Sequence, residues 1–103
     1  MRTIALLSGS IAGNTTSNGG VFYPKCLQNE DLVVQFQITG TATGSIQGRA
    51  TPEAPWVNIR LNQAGETTVG ASGYRLIPAF PEMRAVGVTT TGSSATVNVW
   101  LAD

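Results

Sequence analysis

Apolar and polar residues alternate along this chain with a period of two, and no stretch repeats at the 3.6-residue period of an amphipathic helix. From Leu32 to Ile38, the side chains Leu32, Val34, Phe36 and Ile38 fall on one face and Gln35 and Gln37 on the other. This is the pattern of a strand with one side in a core and one in water. From Trp56 to Leu61 the same alternation points Val57, Ile59 and Leu61 inward and Asn58 and Arg60 outward. From Thr96 to Leu101 it makes Val97, Val99 and Leu101 a core trio and puts Trp100 on the opposite face with Thr96 and Asn98. Weaker strands are expected over 3–7, 20–23, 43–50, 73–78 and 82–90. Turn clusters punctuate them at Gly40 to Gly44, Asn62 to Glu66 and Thr91 to Ser94.

Seven to eight short strands at this spacing predict an all-β fold, an antiparallel β-sandwich of jelly-roll-like type, in one domain spanning 1–103. Helix is disfavoured because glycine, threonine and β-branched residues crowd every window. The segment 11–20 has a different texture: Gly, Asn, Thr and Ser without apolar alternation. Two readings stand for it, a mobile surface loop or an arm ordered only across a neighbouring subunit.

The strand ending at Arg49 and the one opening at Trp56 are joined through Pro52 and Pro55, whose fixed φ enforces a tight corner. Pro81, Glu82 and Arg84 answer it downstream. Arg49, Pro52, Pro55, Trp56, Pro81, Glu82 and Arg84 therefore form a structural corner. Glu82 is expected to open a strand and to pair with Arg49, Arg75 or Arg84, and Glu53 to sit in the turn at Pro52.

Charge narrows the partners. The 103 residues are 42% apolar and 12% charged with zero formal net charge, so the surface has little self-repulsion and favours packing against protein. The six basic residues are scattered, which argues against nucleic acid. No run approaches the roughly twenty apolar residues of a membrane span. Arg2 with Ile4 to Leu7 imitates a secretory leader, but its apolar core falls short of the roughly seven to fifteen residues needed, and it reads as a first strand. Asn14-Thr15-Thr16 matches a glycosylation sequon and is read as a loop coincidence.

The chain has no histidine, so the commonest metal ligand and general base is missing, and its single lysine, Lys25, leaves a serine nucleophile without its usual base. The carboxylates Glu30, Asp31, Glu53, Glu66, Glu82 and Asp103 are too dispersed for a calcium cluster. Glu53 and Glu82 are weighed as a glycosidase pair and set aside, each having a simpler role. No catalytic, metal or cofactor site is expected. Cys26, the one cysteine, reads as a small buried hydrophobe beside Leu27. Of the two tryptophans, Trp56 is expected at the core edge, driven toward the adjacent sheet by Pro55. Trp100 is left between core-edge packing and exposure to a partner.

The run Gly48-Arg49-Ala50-Thr51-Pro52-Glu53-Ala54-Pro55-Trp56-Val57, with Pro81-Glu82-Met83-Arg84-Ala85-Val86 and the terminal Val97-Asn98-Val99-Trp100-Leu101, resembles small virion structural proteins of tailed bacteriophages. Within that group the likeness is to capsid decoration, or cement, proteins. The resemblance spans about the last sixty residues and rests on a structural corner. It implies a homodimer or homotrimer, made in the host cytoplasm, that binds the major capsid protein on the outer virion surface and bridges capsid subunits in the expanded head, without cofactor or enzymatic activity. On this reading Ile11, Asn14, Thr15 and Asn18 of the arm, with Trp100, are the expected interface. The alternative is a receptor- or carbohydrate-binding β-module of a phage fibre or tail, with Trp100, Tyr74 or Tyr23 on a flat platform.

Overall fold

The computed structural model describes residues 3–24, 31–62 and 64–102. Lys25, Cys26 and Glu30 lie outside them, as does the expected burial of Cys26. Nine strands are described: β1 (Thr3–Leu7), β2 (Ser10–Ile11), β3 (Thr16–Asn18), β4 (Asp31–Thr39), β5 (Thr43–Arg49), β6 (Val57–Asn58), β7 (Gly73–Pro78), β8 (Glu82–Val88) and β9 (Ala95–Ala102). No helix occurs among the described residues.

The antiparallel pairs are nested. β5 pairs with β6, β4 with β7, β3 with β8, and β1 and β2 with β9. The chain is thus one long antiparallel ribbon, and wrapping that ribbon brings β9 against β4 and β8 against β5. The product is a sheet ordered β1-β9-β4-β7, extended by β2 beside β9, facing a second sheet ordered β3-β8-β5-β6. This two-sheet arrangement is a jelly roll.

The first sheet supplies the large core side chains. Leu32, Val34 and Phe36 of β4, Val97, Val99 and Leu101 of β9, and Ile77 of β7 are each at most 1% exposed. The register shifts between Ala5 and Leu7, which lets both Leu6 and Leu7 turn inward. The second sheet answers with small ones: Gly44 and Gly48 of β5 and Ala85 and Gly87 of β8 face inward, interspersed with Ile46 and Met83. A Cβ at Gly44 would meet Phe36 Cδ1 at 2.8 Å, and one at Gly87 would meet Ile11 Cδ1 at 2.5 Å. Size complementarity of this kind sets the spacing of the sheets.

Three expectations change. Residues 20–23 form no strand beyond the Phe22–Met83 bridge, and 11–20 is no free arm or loop. Ile11 is 5% exposed and spans both sheets by packing over Gly87, while Thr16, Ser17 and Asn18 pair with Val88, Gly87 and Val86. Further bonds fix the segment: Asn14 N–H donates to Thr91 O (2.9 Å), Thr15 N–H to Thr89 Oγ1 (3.1 Å) and Gly19 N–H to Ala85 O (2.8 Å). Backbone hydrogen bonds and one well-placed isoleucine supply the order that apolar alternation did not announce. Val57 is also corrected, being 48% exposed, because β6 lasts only two residues. Ile59 and Leu61 are buried as expected, but on an irregular segment held by Ile59 N–H to Ile46 O (2.9 Å) and Leu61 N–H to Glu66 O (2.6 Å).

Gly87→Ala should destabilise by about 1–3 kcal/mol through overpacking. Adding Ile11→Val removes the clashing Cδ1. Urea denaturation of the single and double variants should therefore give a loss smaller than the sum of the two, and strict additivity would refute the contact.

Candidate functional site

Alternation gives each sheet one outward face, and the two differ in chemistry. On the first sheet the ladder runs Ala5, Trp100, Gln35, Tyr74 in one row and Thr3, Ala102, Val33, Leu76 in the next. Tyr74, Leu76 and Val33 are 66%, 55% and 38% exposed, and Trp100 is half-buried. Asn98 Nδ2 donates to Gln37 Oε1 (3.1 Å), and Asn98 Oδ1 accepts from Gly9 N–H (3.0 Å), so these polar groups satisfy one another. The outward residues of these two rows carry no formal charge.

The edge of this sheet is guarded. Ile38 N–H points toward β7 and donates to Ser72 Oγ (3.0 Å), so Leu32, Val34 and Phe36 bond to β7 while Tyr74, Leu76 and Pro78 present their backbone to the free edge. Pro78 has no N–H to offer there. The Tyr74 carbonyl accepts from Arg75 Nη1 (2.8 Å), and Arg75 is itself held by Glu66 Oε1 (2.9 Å). Proline and a charged side chain at an edge hinder strand addition.

On the second sheet the outward face carries the predicted corner. Arg49 lies directly across the ladder from Glu82, and Gln47 from Arg84 and Asn58. Arg49 Nη2 and Glu82 Oε1 are 3.1 Å apart, with side chains 19% and 7% exposed. Arg84 Nε donates to Gln47 Oε1 (2.8 Å), and Gln47 Nε2 donates to Asn58 Oδ1 (3.2 Å). Trp56 lies over this face with the Arg49 and Arg84 Cζ atoms 4.2 and 4.5 Å from its ring centroid. Such contacts are worth about 0.5–2 kcal/mol each, according to how far they are desolvated.

Placement of the expected residues is mixed. Arg49, Trp56, Glu82 and Arg84 converge, and Glu82 selects Arg49 as its partner. Trp56 is half-buried against guanidinia on the outer face instead of at the core edge, because two residues of β6 carry it outside the sheet. Pro52 and Pro55 are exposed on the corner, whose turn is closed by Ala54 N–H to Thr51 O (3.1 Å), with Glu53 exposed upon it. Pro81 is exposed just before β8. Phe80 covers Gly48, where a Cβ would lie 2.6 Å from its Cγ. Of the expected interface, Asn14, Thr15 and Asn18 are exposed beside β8, Trp100 lies on the other sheet, and Ile11 is core. The five residues do not share a surface.

Sequence reasoning passed over Gln47, Asn58 and Leu76. Each stands at an outward position of its strand, and only the cross-strand register gives it neighbours. Compared with protein-family models and with curated proteins, the chain matches none.

Replacing Arg49 by Met leaves the Glu82 carboxylate buried without a counter-charge. The expected cost is about 3 kcal/mol, the low end for a buried pair because Arg49 keeps some solvent contact. Arg49→Met with Glu82→Leu should recover most of it by denaturant melts, and a neutral single variant would refute the assignment.

Proposed function

We propose that this chain is a non-catalytic virion structural module that acts by protein contact, most specifically a capsid decoration protein seated on the major capsid protein. The observation that carries the reading is the outer face of β1, β9, β4 and β7, with Tyr74, Leu76 and Val33 exposed side by side in two ladder rows that hold no charged residue. Such a patch marks a contact surface for protein, and lack of charge lets it be covered without stranding an ion. The corner resemblance supports the virion setting. A rigid module touching more than one capsid subunit in the expanded shell would stabilise that state by mass action, and repetition over a lattice makes modest contacts sufficient.

The contact is moved from the N-terminal segment to this face. Residues 11–20 are woven into both sheets through Ile11 and β3, so deleting them would disturb folding and could not report on binding alone.

A second reading has its own observation. Trp100 and Tyr74 flank Gln35 in one ladder row, roughly 9.5 Å apart at two strand spacings, which is an aromatic platform suited to sugar rings. The exposed Leu76 and Val33 beside it favour protein, since sugar recognition needs polar partners next to the stacking rings.

Tyr74→Ser with Leu76→Ser should leave stability within about 0.5 kcal/mol, both side chains being exposed. Co-sedimentation with expanded capsid shells should fall about tenfold or more. Unchanged occupancy sinks the decoration reading. Glycan-array binding that is lost on Trp100→Ala and Tyr74→Ala would establish the second.

A further inference from the structure

We propose that Arg84, on the outer face of the four-stranded sheet, is the docking point for a carboxylate side chain of an acidic protein segment. The inference does not rest on the virion reading and concerns the opposite face of the sandwich.

Local charge balance gives the first argument. On the outward positions of β5 and β8 two guanidinia, Arg49 and Arg84, stand with one carboxylate, Glu82, and Glu82 is bound by Arg49. Arg84 has a neutral partner only, through Nε to Gln47 Oε1 at 2.8 Å. Among the described residues no ion pair or hydrogen bond engages its Nη1 and Nη2. Glu53, exposed on the nearby corner, makes no described ion pair, and Glu66 is held by Arg75 on the other sheet. The guanidinium of Arg84 is thus left without a counter-charge within β3, β5, β6 and β8, whose outward residues beyond these three, including Ser45, Asn58 and Asn18, are neutral.

Preorganisation gives the second. Asn58 orients Gln47, Gln47 fixes Nε of Arg84, and Trp56 lies against the guanidinium with its centroid 4.5 Å from Cζ. These contacts take the Nε side and one flat face. The edge left over is the pair of terminal nitrogens, whose parallel N–H groups match the two oxygens of a carboxylate. An arginine already held in place loses less freedom on pairing than one waving in solvent.

The ligand class follows. Within the strands of this face the only other basic residue is Arg49, already held by Glu82, and one fork of charge cannot follow a phosphate backbone, whereas it reads a single planar carboxylate. The occupant is an aspartate or glutamate of a protein partner.

The test uses a fluorescein-labelled hexaglutamate peptide and its hexaglutamine counterpart, titrated at low salt into the full chain. Trp100→Phe leaves Trp56 as the sole indole, so binding at this face should change its emission, while binding elsewhere should not. Hexaglutamate is expected to bind about tenfold or more tightly than hexaglutamine, with the preference lost in Arg84→Gln. Arg84→Lys keeps the charge but not the fork and should bind several-fold more weakly. Gln47→Leu leaves every charge in place and should also weaken binding, which a role in general electrostatics would not produce. Retention of the preference in Arg84→Gln, equal binding by Arg84→Lys, or an unmoved Trp56 signal on saturation overturns the proposal. If Arg84→Gln fails to fold, the lysine and Gln47→Leu arms still decide.

Discussion

Phe36 can lie against the backbone of Gly44, and Ile11 against that of Gly87, only because the four-stranded sheet presents no side chain at those points. One sheet carries the bulk, Leu32, Val34, Phe36, Val97, Val99 and Leu101, and the other supplies the recesses. The core tolerates no independent change on either side, since added volume at a glycine has nowhere to go and lost volume at its partner leaves a cavity. The same constraint holds the N-terminal segment in place, for Ile11 is the side chain that crosses from the first sheet to Gly87 in the second.

With the inward positions committed to packing, period-two geometry leaves the outward positions free to differ. They do. The first sheet turns out Tyr74, Leu76, Val33 and Trp100 in two adjoining ladder rows. The second concentrates Arg49, Arg84 and Glu82 with Trp56 above them. Arg49 keeps Glu82 neutralised where solvent is scarce, and the indole shields both guanidinia. The corner between Arg49 and Trp56, with Pro52 and Pro55 exposed on it, is what returns the chain so that the ring lands on that face.

The long strands were legible because their alternation coincides with unbroken pairing, so that parity decides which side chains are buried. β4 and β9 follow it residue by residue, including the outward position of Trp100, while the partner of Glu82, open among Arg49, Arg75 and Arg84 in the sequence, is set by the register that puts Arg49 across from it. The short elements were not legible. β3, three residues long, has no period to detect, so 11–20 looked unstructured; the alternation from Trp56 to Leu61 was visible, but only Val57 and Asn58 pair as β6, so Val57 looked buried and is not. The inner face of β5 and β8 was muted for another reason, being built from glycine and alanine whose burial leaves little hydrophobic signal. The resting place of Trp56 depended on what lay across the ladder. Alternation gives the parity of a residue, but only register gives its neighbours.

How this module can touch another protein is limited by its edges. β7 is the long edge, and there Pro78 withholds an N–H while Arg75 occupies the Tyr74 carbonyl. At the opposite edge the backbone of Gly19 lies against the Leu6 carbonyl, and the second sheet ends in strands of three and two residues. Strand addition therefore has little backbone to use, and contact would run through side chains on the two faces. Those faces point in opposite directions and differ in kind, one exposing Tyr74, Leu76 and Val33, the other built around a positioned guanidinium. A partner suited to one is not suited to the other, so each face would take its own kind of contact.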